Sequence, residues 1–511
     1  SFNVVDGIPA SGNHWLLTEL LRDQWGFKGF VVTDYTAVNE MINHGMGDLQ
    51  TVSALALKAG TDMDMVGEGF LTTLKKSLAE NKVTAKDIDM ACKRVLEAKY
   101  KLGLFDDPYL YMNEERAKTE VMTPENLKTA RSISERSIVL LKNDKQILPL
   151  KKSGTIAVIG PLANSKRDML GTWAMGGDQS NVSSIVDGLK NAGGNAVKIL
   201  YAKGSEFTDN PLLAKAINAF GMPGQQQSKE PVLSPEQLLN EALQAAKKAD
   251  VVVAVLGEPA AWSGEASSLS DIGIQKVQKD LLKALLSTGK PVVLVLVNGR
   301  PMTLPWENQN VSAILEAWAG GNEAGNAVAD VLFGDYNPSG KLTTTFPLNV
   351  GQIPIYYNHK NTGRPMDQAN KFTSKYLDSP NDPLYPFGYG LSYTTFSYSD
   401  IRLSKTQLNG NEKLAASITL TNTGKLAGEE VVQLYIQDPA ASVSRPVKEL
   451  KNFKKVMLQA GEKKEISFDI TTGDLMFYNS DLKYDWESGE FIIYMGTNSR
   501  DVKSAKINWV R

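Results

Sequence analysis

Three acidic residues stand just past apolar runs that read as strands, and these positions favour carboxylate chemistry. Asp34 follows "GFVVT", whereas Glu258 and Glu265 lie in "GEPAAWSGEASSLSDI", directly after "VVVAVL". In barrels and open sheets built from βα units, ligand-facing residues gather at the carboxyl ends of the strands. Two carboxyl groups that face one ligand can act as nucleophile and proton donor, which is the chemistry of glycosidic bond cleavage.

Aromatic residues accompany these acids, and aromatic rings offer flat apolar faces to sugars. The residues concerned are Phe2, Tyr35, Trp173 and Trp262. The same side chains suit ordinary packing between elements equally well. The acids and aromatics together therefore indicate a carbohydrate ligand, while packing stays open as an interpretation of each aromatic residue.

Each acid also has an interpretation without chemistry. Asp34 can cap the helix that is predicted to begin near Ala37, because aspartate is a favoured N-cap residue. The sequence pattern alone favours neither the nucleophile nor the helix cap as the role of Asp34. For Glu258 and Glu265, a solvated loop acid is the interpretation that the pattern alone favours.

Composition excludes several classes of function. The 511 residues carry 55 basic and 57 acidic side chains, for a net charge of -2, so no summed field favours nucleic acid or an anionic membrane. The single cysteine, Cys92, excludes an internal disulfide, and three scattered histidines do not form a metal cluster. No apolar stretch is long enough for a membrane span. A small neutral or polar ligand is predicted, without a cofactor.

The first hundred residues alternate between helices and short strands. Ser11 is predicted to cap an amphipathic helix that Gly26 ends, and strands are predicted at 29–33 and 61–65. Helices at 48–59 and 84–102 complete a βαβα order, which predicts a parallel sheet. So few strands cannot close a barrel by themselves.

Two further domains follow a predicted linker at 104–125. Near-continuous apolar runs at 155–160, 197–201, 250–257, 291–298 and 312–318 predict strands buried on both faces. Helices are predicted between them, at 126–142, 182–191, 235–248, 275–288 and 323–333. This order predicts a doubly wound α/β sandwich domain over 126–350, joined by an ordered connection at 351–394. Short alternating segments over 395–511 predict a fibronectin type III-like β-sandwich.

Motifs along the whole chain resemble those of glycoside hydrolase family 3. They include "FNVVDGIPASGNHWLLTELLRDQWGFKGFVVTDYTAV", "AGTDMDM", "SIVLLKNDKQILPL", "GEASSLSDI", "VLVNGRP" and "YPFGYGLSYTTF", in family order. The resemblance implies an α/β multidomain protein, in which residues 1–103 form the C-terminal part of a (β/α)8 barrel.

The resemblance also implies a function. It is that of a retaining exo-acting β-glucosidase, with β-xylosidase or another exo-β-glycosidase and a non-catalytic carbohydrate-binding relative as alternatives. Asp34 matches the nucleophile and Glu265 the acid/base, with Glu258 as the second choice of acid. Phe2, Tyr35 and Trp262 are the expected substrate-binding residues. The resemblance implies a periplasmic or secreted location. It implies no cofactor, and it is compatible with a homodimer.

Some positions depart from the family pattern. Leu269 replaces an arginine near the acid/base loop, and Gln275 replaces a proline. The segments that build most of the family's glycone pocket are not in the sequence, so we expect a longer protein with further barrel strands before Ser1. We accordingly expect the isolated 511-residue chain to be inactive, and residues 1–103 to be poorly stable, because the remaining strands leave an unpaired edge.

Overall fold

The computed structural model describes residues 2–174, 176–217 and 233–511. Contacts divide the chain into two compact units, Ser1–Val121 and Met122–Arg511. Within the described ranges, none of the helices is both long and apolar enough to cross a bilayer. The division falls just after a short helix, Glu114–Glu120, inside the segment predicted as a linker.

Helices dominate the first unit, and their ends follow local sequence signals. Asp48 caps one helix by accepting the Thr51 N–H, and Gly60 ends it in the left-handed conformation. Thr84 begins another helix with a reciprocal capping box to Asp87. The elements are strands β1 (Val4–Val5) and β2 (Ile8–Pro9), a π-type helix (Trp15–Gln24), and helices α1 (Ala37–Asn43), α2 (Leu49–Ala59), α3 (Gly69–Ala79), α4 (Ala85–Lys101) and α5 (Glu114–Glu120).

The predicted cap of the first long helix is wrong. Ser11 lies in a single 3-10 turn, Ala10–Gly12, and the helix begins at Trp15. The side chain that serves the helix start is Asn13, whose Oδ1 accepts the Leu16 N–H at 3.0 Å. A helix start requires an acceptor oriented toward its free N–H groups, and Ser11 is placed too early for this.

The α/β part of the second unit has the predicted strands, with one addition. Residues 126–142 were predicted as one helix, but the helix ends at Ser137 and Val139–Asn143 form an antiparallel edge strand. The strands are β3 (Val139–Asn143), β4 (Gly154–Ile159), β5 (Val197–Ala202), β6 (Val251–Gly257), β7 (Val292–Val297) and β8 (Ala313–Glu316), in the order β3-β8-β7-β6-β4-β5. The sheet is parallel from β8 to β5.

Helices cover both faces of this sheet, as the doubly wound prediction requires. They are α6 (Pro124–Ser137), α7 (Arg167–Leu170), α8 (Ile185–Gly193), α9 (Pro211–Ala216), α10 (Pro235–Lys248), α11 (Lys276–Leu286), α12 (Pro305–Asn310) and α13 (Ala324–Phe333). One apolar core lies on each face of the sheet. Strand order reverses between β4 and β6, and such a switch point opens a crevice at the carboxyl ends of the strands.

The C-terminal region is the predicted β-sandwich. Its strands are β9 (Phe396–Tyr398), β10 (Arg402–Leu403), β11 (Gln407–Asn409), β12 (Leu414–Asn422), β13 (Gly428–Gln437), β14 (Glu449–Leu458), β15 (Lys463–Ile470), β16 (Phe477–Tyr478), β17 (Tyr484–Asp485), β18 (Gly489–Gly496) and β19 (Val502–Val510). Strand β12 alternates between buried and half-buried residues, as expected of a strand with one face on a core. The main sheet has the order β11-β19-β18-β13-β14.

Candidate active site

Asp34 stands at the end of an extended segment that is held by a parallel neighbour. The strands predicted at 29–33 and 61–65 are not formed as strands in the described structure, because the two segments pair only through one isolated parallel bridge, Val32 to Met63. The Thr33 N–H donates to the Met63 carbonyl at 3.0 Å, and the Thr36 N–H donates to the Met65 carbonyl at the same distance. The backbone is therefore fixed on both sides of Asp34.

The carboxylate of Asp34 is exposed and does not cap helix α1. Its Oδ1 accepts the N–H of the next residue, Tyr35, at 2.7 Å. The position before the helix belongs to Thr36, which has a left-handed backbone with φ of 60° and no side-chain cap bond. The geometry thus argues against the cap interpretation and leaves Asp34 available for a ligand.

A buried ionic cluster holds the extended segment that carries Asp34. Asp62 Oδ2 accepts Arg22 Nη2 at 2.6 Å and the Val31 N–H at 2.8 Å. Asp62 Oδ1 accepts Arg94 Nη1 at 2.8 Å. The carboxylate of Asp62 stands in the motif "AGTDMDM", but nothing in the local sequence predicts its ion pairs with Arg22 and Arg94.

The aromatic residues expected in the first unit differ in exposure. The Tyr35 side chain follows Asp34 directly and is 60 % exposed. Phe2 is half-buried. An exposed ring next to the candidate nucleophile suits a sugar-binding role, and that role stays a prediction for both residues.

Glu258, the second choice of acid, is buried and engaged. It directly follows β6, is 4 % exposed, and its Oε2 accepts Arg300 Nε at 2.9 Å. Burial raises the pKa of Glu258, and the attraction of Arg300 opposes that rise. A carboxyl group in this ion pair is not available to protonate a substrate, so the arrangement argues against Glu258 as the acid.

Glu265 lies at the exposed tip of the same loop. Gly264 before it has φ of 93° and Ala266 after it has φ of 53°, so the chain makes a tight turn at this residue. Ser267 Oγ donates to the Glu265 carbonyl at 3.0 Å. The main chain is thus held while the Glu265 side chain points into solvent.

The prediction that Trp262 forms a sugar platform is contradicted by its burial. Its side chain is 2 % exposed, and its Nε1 donates to the Leu213 carbonyl at 3.1 Å. The exposed tryptophan near this loop is Trp173, which is 68 % exposed. Which of the two tryptophans is covered depends on distant parts of the chain, which the local sequence does not specify.

A cavity of about 320 Å³ opens at the carboxyl ends of the parallel strands, beside the loop of Glu265. Residues that line it and that bear on the argument are Asp168, Trp173, Glu258, Asn298 and Trp318. Asn298 comes directly after β7, and its buried Oδ1 has no hydrogen-bond partner among the described residues. The Asn298 side chain therefore gives the cavity an acceptor oxygen that suits a hydroxyl group of a ligand.

Two buried carboxyl groups near this cavity escaped the sequence analysis. Burial raises the pKa of Glu316 to about 8, against weaker opposing hydrogen bonds from the Trp318 N–H and from Asn298. Burial also raises the pKa of Asp168, while its bond from Ser165 opposes the rise. The signal for Glu316 was an acid at the end of an apolar strand, in "SAILEAW".

Family comparisons match nearly every part of this architecture. Residues 1–98 match a model described as the glycosyl hydrolase family 3 N terminal domain. Residues 138–393 match the glycosyl hydrolase family 3 C-terminal domain, and residues 430–499 match a fibronectin type III-like domain. The order of the three matches is that of the predicted domains.

Individual relatives extend the match to almost the whole chain. A periplasmic beta-glucosidase of Salmonella typhimurium is 48 % identical over 98 % of this chain and 66 % of that protein. A beta-xylosidase of Formosa agariphila is 41 % identical over 98 % of this chain and 68 % of that protein. The chain thus spans about two thirds of the length of these curated relatives.

Solved structures give the same picture. The crystal structure of a beta-glucosidase from Listeria innocua in complex with isofagomine matches with a TM-score of 0.89 and 39 % identity, covering 100 % of this chain and 68 % of that chain. A mutant of that enzyme in complex with laminaribiose matches with a TM-score of 0.88 and 39 % identity, covering 100 % of this chain and 67 % of that chain.

Proposed function

The chain belongs to glycosyl hydrolase family 3, and from this premise we propose that it carries the catalytic pair of a retaining exo-acting β-glucosidase. The proposed reaction releases terminal β-D-glucose from oligosaccharides by double displacement. The observation that carries the proposal is the state of the three candidate acids. Asp34 and Glu265 are exposed, whereas Glu258 is buried in an ion pair with Arg300.

In the proposed first step, the ionised Asp34 attacks the anomeric carbon while Glu265 donates its proton to the departing glycosidic oxygen. The bond from the anomeric carbon to that oxygen breaks, and a covalent glucosyl ester forms on Asp34. A retaining mechanism needs the two carboxyl groups about 5 to 5.5 Å apart across the sugar in the reacting state. Tyr35 and Phe2 are proposed to line the glycone pocket.

In the second step, the Glu265 carboxylate removes a proton from water, and the water oxygen attacks the same carbon. The ester bond to Asp34 breaks, which returns both acids to their starting states and releases glucose with retained configuration. The two inversions at the anomeric carbon give net retention, and Glu265 acts first as acid and then as base because the proton that it donates in the first step is regained from water in the second.

The decisive experiment is trapping of the nucleophile. The full-length gene product is incubated with a 2-deoxy-2-fluoro-β-glucoside that has an activated leaving group, and peptide mapping by mass spectrometry locates the label. We expect the label on Asp34 in the wild type and its absence in Asp34→Asn. An active enzyme labelled at a different carboxylate contradicts the assignment, and a protein that is neither labelled nor active favours the non-catalytic carbohydrate-binding alternative.

A β-xylosidase is the second candidate, and the Formosa relative favours it, since that protein is named a beta-xylosidase at 41 % identity. Comparing kcat/KM for nitrophenyl β-glucoside and nitrophenyl β-xyloside separates the two. If the enzyme prefers the xyloside, the glucosidase proposal is wrong and a β-xylosidase takes its place. The proposed catalytic pair stays the same, because both reactions use two carboxyl groups in the same roles.

Location and domain roles are further parts of the proposal. The name of the Salmonella relative supports a periplasmic or secreted location. Residues 1–103 are proposed as the barrel part that presents Asp34, residues 126–350 as the domain that presents Glu265, and residues 395–511 as structural support. Cell fractionation of the full-length gene product tests the location.

A further inference from the structure

One guanidinium group contacts three parts of the loop that carries Glu265. We define the Glu265 loop as residues 258–267. Arg300 Nε donates to Glu258 Oε2 at 2.9 Å, at the start of the loop. Arg300 Nη2 donates to the Trp262 carbonyl in the middle and to the Ser267 carbonyl at the end, the latter at 2.8 Å. The planar fork of arginine suits such a multiple contact, which the ammonium group of lysine cannot reproduce.

The surroundings of Arg300 fix this contact in place. The Arg300 side chain is largely buried, and so is Glu258. The Glu258 N–H also donates to the Val297 carbonyl of β7 at 2.9 Å. Just before Arg300, a Cβ on Gly299 would lie 2.4 Å from Ser263 Oγ, so the backbone of this strand end approaches the loop closely.

The two carbonyl contacts bracket Glu265. Between Trp262 and Ser267 lie four residues, two of which, Gly264 and Ala266, have positive φ. Because one guanidinium nitrogen binds both carbonyls, the two ends of this short turn are held close together. The backbone of Glu265 is thereby set, although its side chain remains exposed.

We propose that Arg300 and Glu258 are positioning residues that hold Glu265 where it can transfer its proton. The inference rests on the proposed function of Glu265 as acid/base. Neither residue is assigned contact with the substrate, and Glu258 acts through Arg300 by balancing its buried charge. An unpaired buried guanidinium would be costly, so the two side chains work as a unit.

A positioning role predicts a pattern that general destabilisation does not. Cleavage of an alkyl β-glucoside needs a proton from Glu265, since an alkoxide is a poor leaving group. Cleavage of 2,4-dinitrophenyl β-glucoside does not, because that phenolate leaves without protonation. Displacement of Glu265 therefore slows the first substrate selectively, whereas loss of folded enzyme slows both substrates equally.

The test compares Arg300→Lys and Glu258→Gln with the wild type in the full-length gene product, using both substrates. We expect kcat/KM for the alkyl glucoside to fall about 10- to 100-fold, part of the roughly 10²- to 10⁴-fold that a positioned proton donor contributes. The value for the dinitrophenyl glucoside should change by less than about 3-fold. Equal losses on both substrates overturn the proposal.

Arg131→Lys is the matched control. Arg131 makes a two-point ion pair with Asp330, at 2.6 Å for each contact, between α6 and α13 of the same unit. It lies outside the Glu265 loop, so its replacement should leave the ratio of the two substrates unchanged. A ratio that shifts equally in this control overturns the specific role of Arg300.

Hydrogen exchange of the Glu265 loop gives a readout that does not depend on activity. Amides of residues 263–267 should exchange faster in Arg300→Lys than in the wild type, and Arg131→Lys should not change them. Unchanged exchange in Arg300→Lys overturns the proposal. Failure of the proposed function can be told apart from failure of the positioning role, because in the first case the wild type itself hydrolyses neither glucoside.

Discussion

The segment that carries Asp34 and the loop that carries Glu265 are held in place by different kinds of contact. Asp34 is held by main-chain hydrogen bonds to the neighbouring segment at Met63 and Met65. The buried support there is a carboxylate, Asp62, between two arginines. The turn of Glu265 is held instead by one largely buried arginine, Arg300, which makes three contacts with the loop.

The difference concerns which atoms transmit the constraint. Asp62 accepts the Val31 N–H, three residues before Asp34 in the same extended segment. Arg300 instead donates to the carbonyl groups of Trp262 and Ser267, on either side of Glu265. The comparison leads to four predictions.

The largest effect is expected at the strand. Asp34→Asn should abolish turnover of every glucoside, with or without an activated leaving group, because an amide cannot form the glycosyl ester. Steady-state assays of the full-length gene product on both leaving-group classes measure this. Substantial activity of the variant on either class breaks the assignment of the strand as the nucleophile side.

Glu265→Ala should have a smaller and more selective effect. We expect kcat/KM for alkyl glucosides to fall about 10²- to 10⁴-fold, the usual contribution of a positioned acid or base. Azide should restore turnover of the dinitrophenyl glucoside by attacking the glycosyl ester, with β-glucosyl azide as the product. If neither selectivity nor azide product is found, the loop does not carry the acid/base.

Asp62→Asn tests the support of the strand. Removing this charge leaves Arg22 buried without its ionic partner, and breaking a buried pair costs about 3 to 5 kcal/mol. We expect the first unit to open at lower denaturant concentration, with faster exchange of the Thr33 amide. Turnover of both leaving-group classes should fall in parallel, in contrast to Arg300→Lys.

We expect the smallest effect on turnover from the fourth change, which alters how the stability of the second unit depends on pH. The raised pKa of Glu316, about 8, means that the folded chain binds this proton more tightly than the unfolded chain. The stabilisation from this group is complete below about pH 4.5, declines as pH rises, and is lost above about pH 8. The upper bound is about 5 kcal/mol, since the pKa rises by about 3.5 units and one unit corresponds to about 1.4 kcal/mol.

Glu316→Gln removes this titration. The free energy of unfolding of the second unit should vary less between pH 5 and pH 8 in the variant than in the wild type, as measured by urea denaturation. The new amide can donate to Asn298 Oδ1, which lacks a hydrogen-bond partner among the described residues. An identical pH dependence in both proteins would exclude Glu316 as its source.

Much of the fold could be read from the sequence because its signals are local. The apolar runs that predicted β4 to β8 are strands with nearly the expected ends. The family comparisons confirm the resemblance that the motifs suggested and the fold class with it. The errors occur where local signals compete. Residues 139–143 continue an apolar helical pattern, yet they pair with β8 because the sheet edge offers hydrogen bonds that a longer helix would forgo.

The sequence by itself determined that Asp34 and Glu265 come after apolar runs and stand in family motifs, since this needs only the order of residues. Only the tertiary structure decided that Glu258 is engaged, that Trp262 is buried and that Trp173 is exposed. The physical reason is that desolvation depends on neighbours far along the chain. Arg300 is 42 residues from the carboxylate that it neutralises, and no local pattern encodes that meeting.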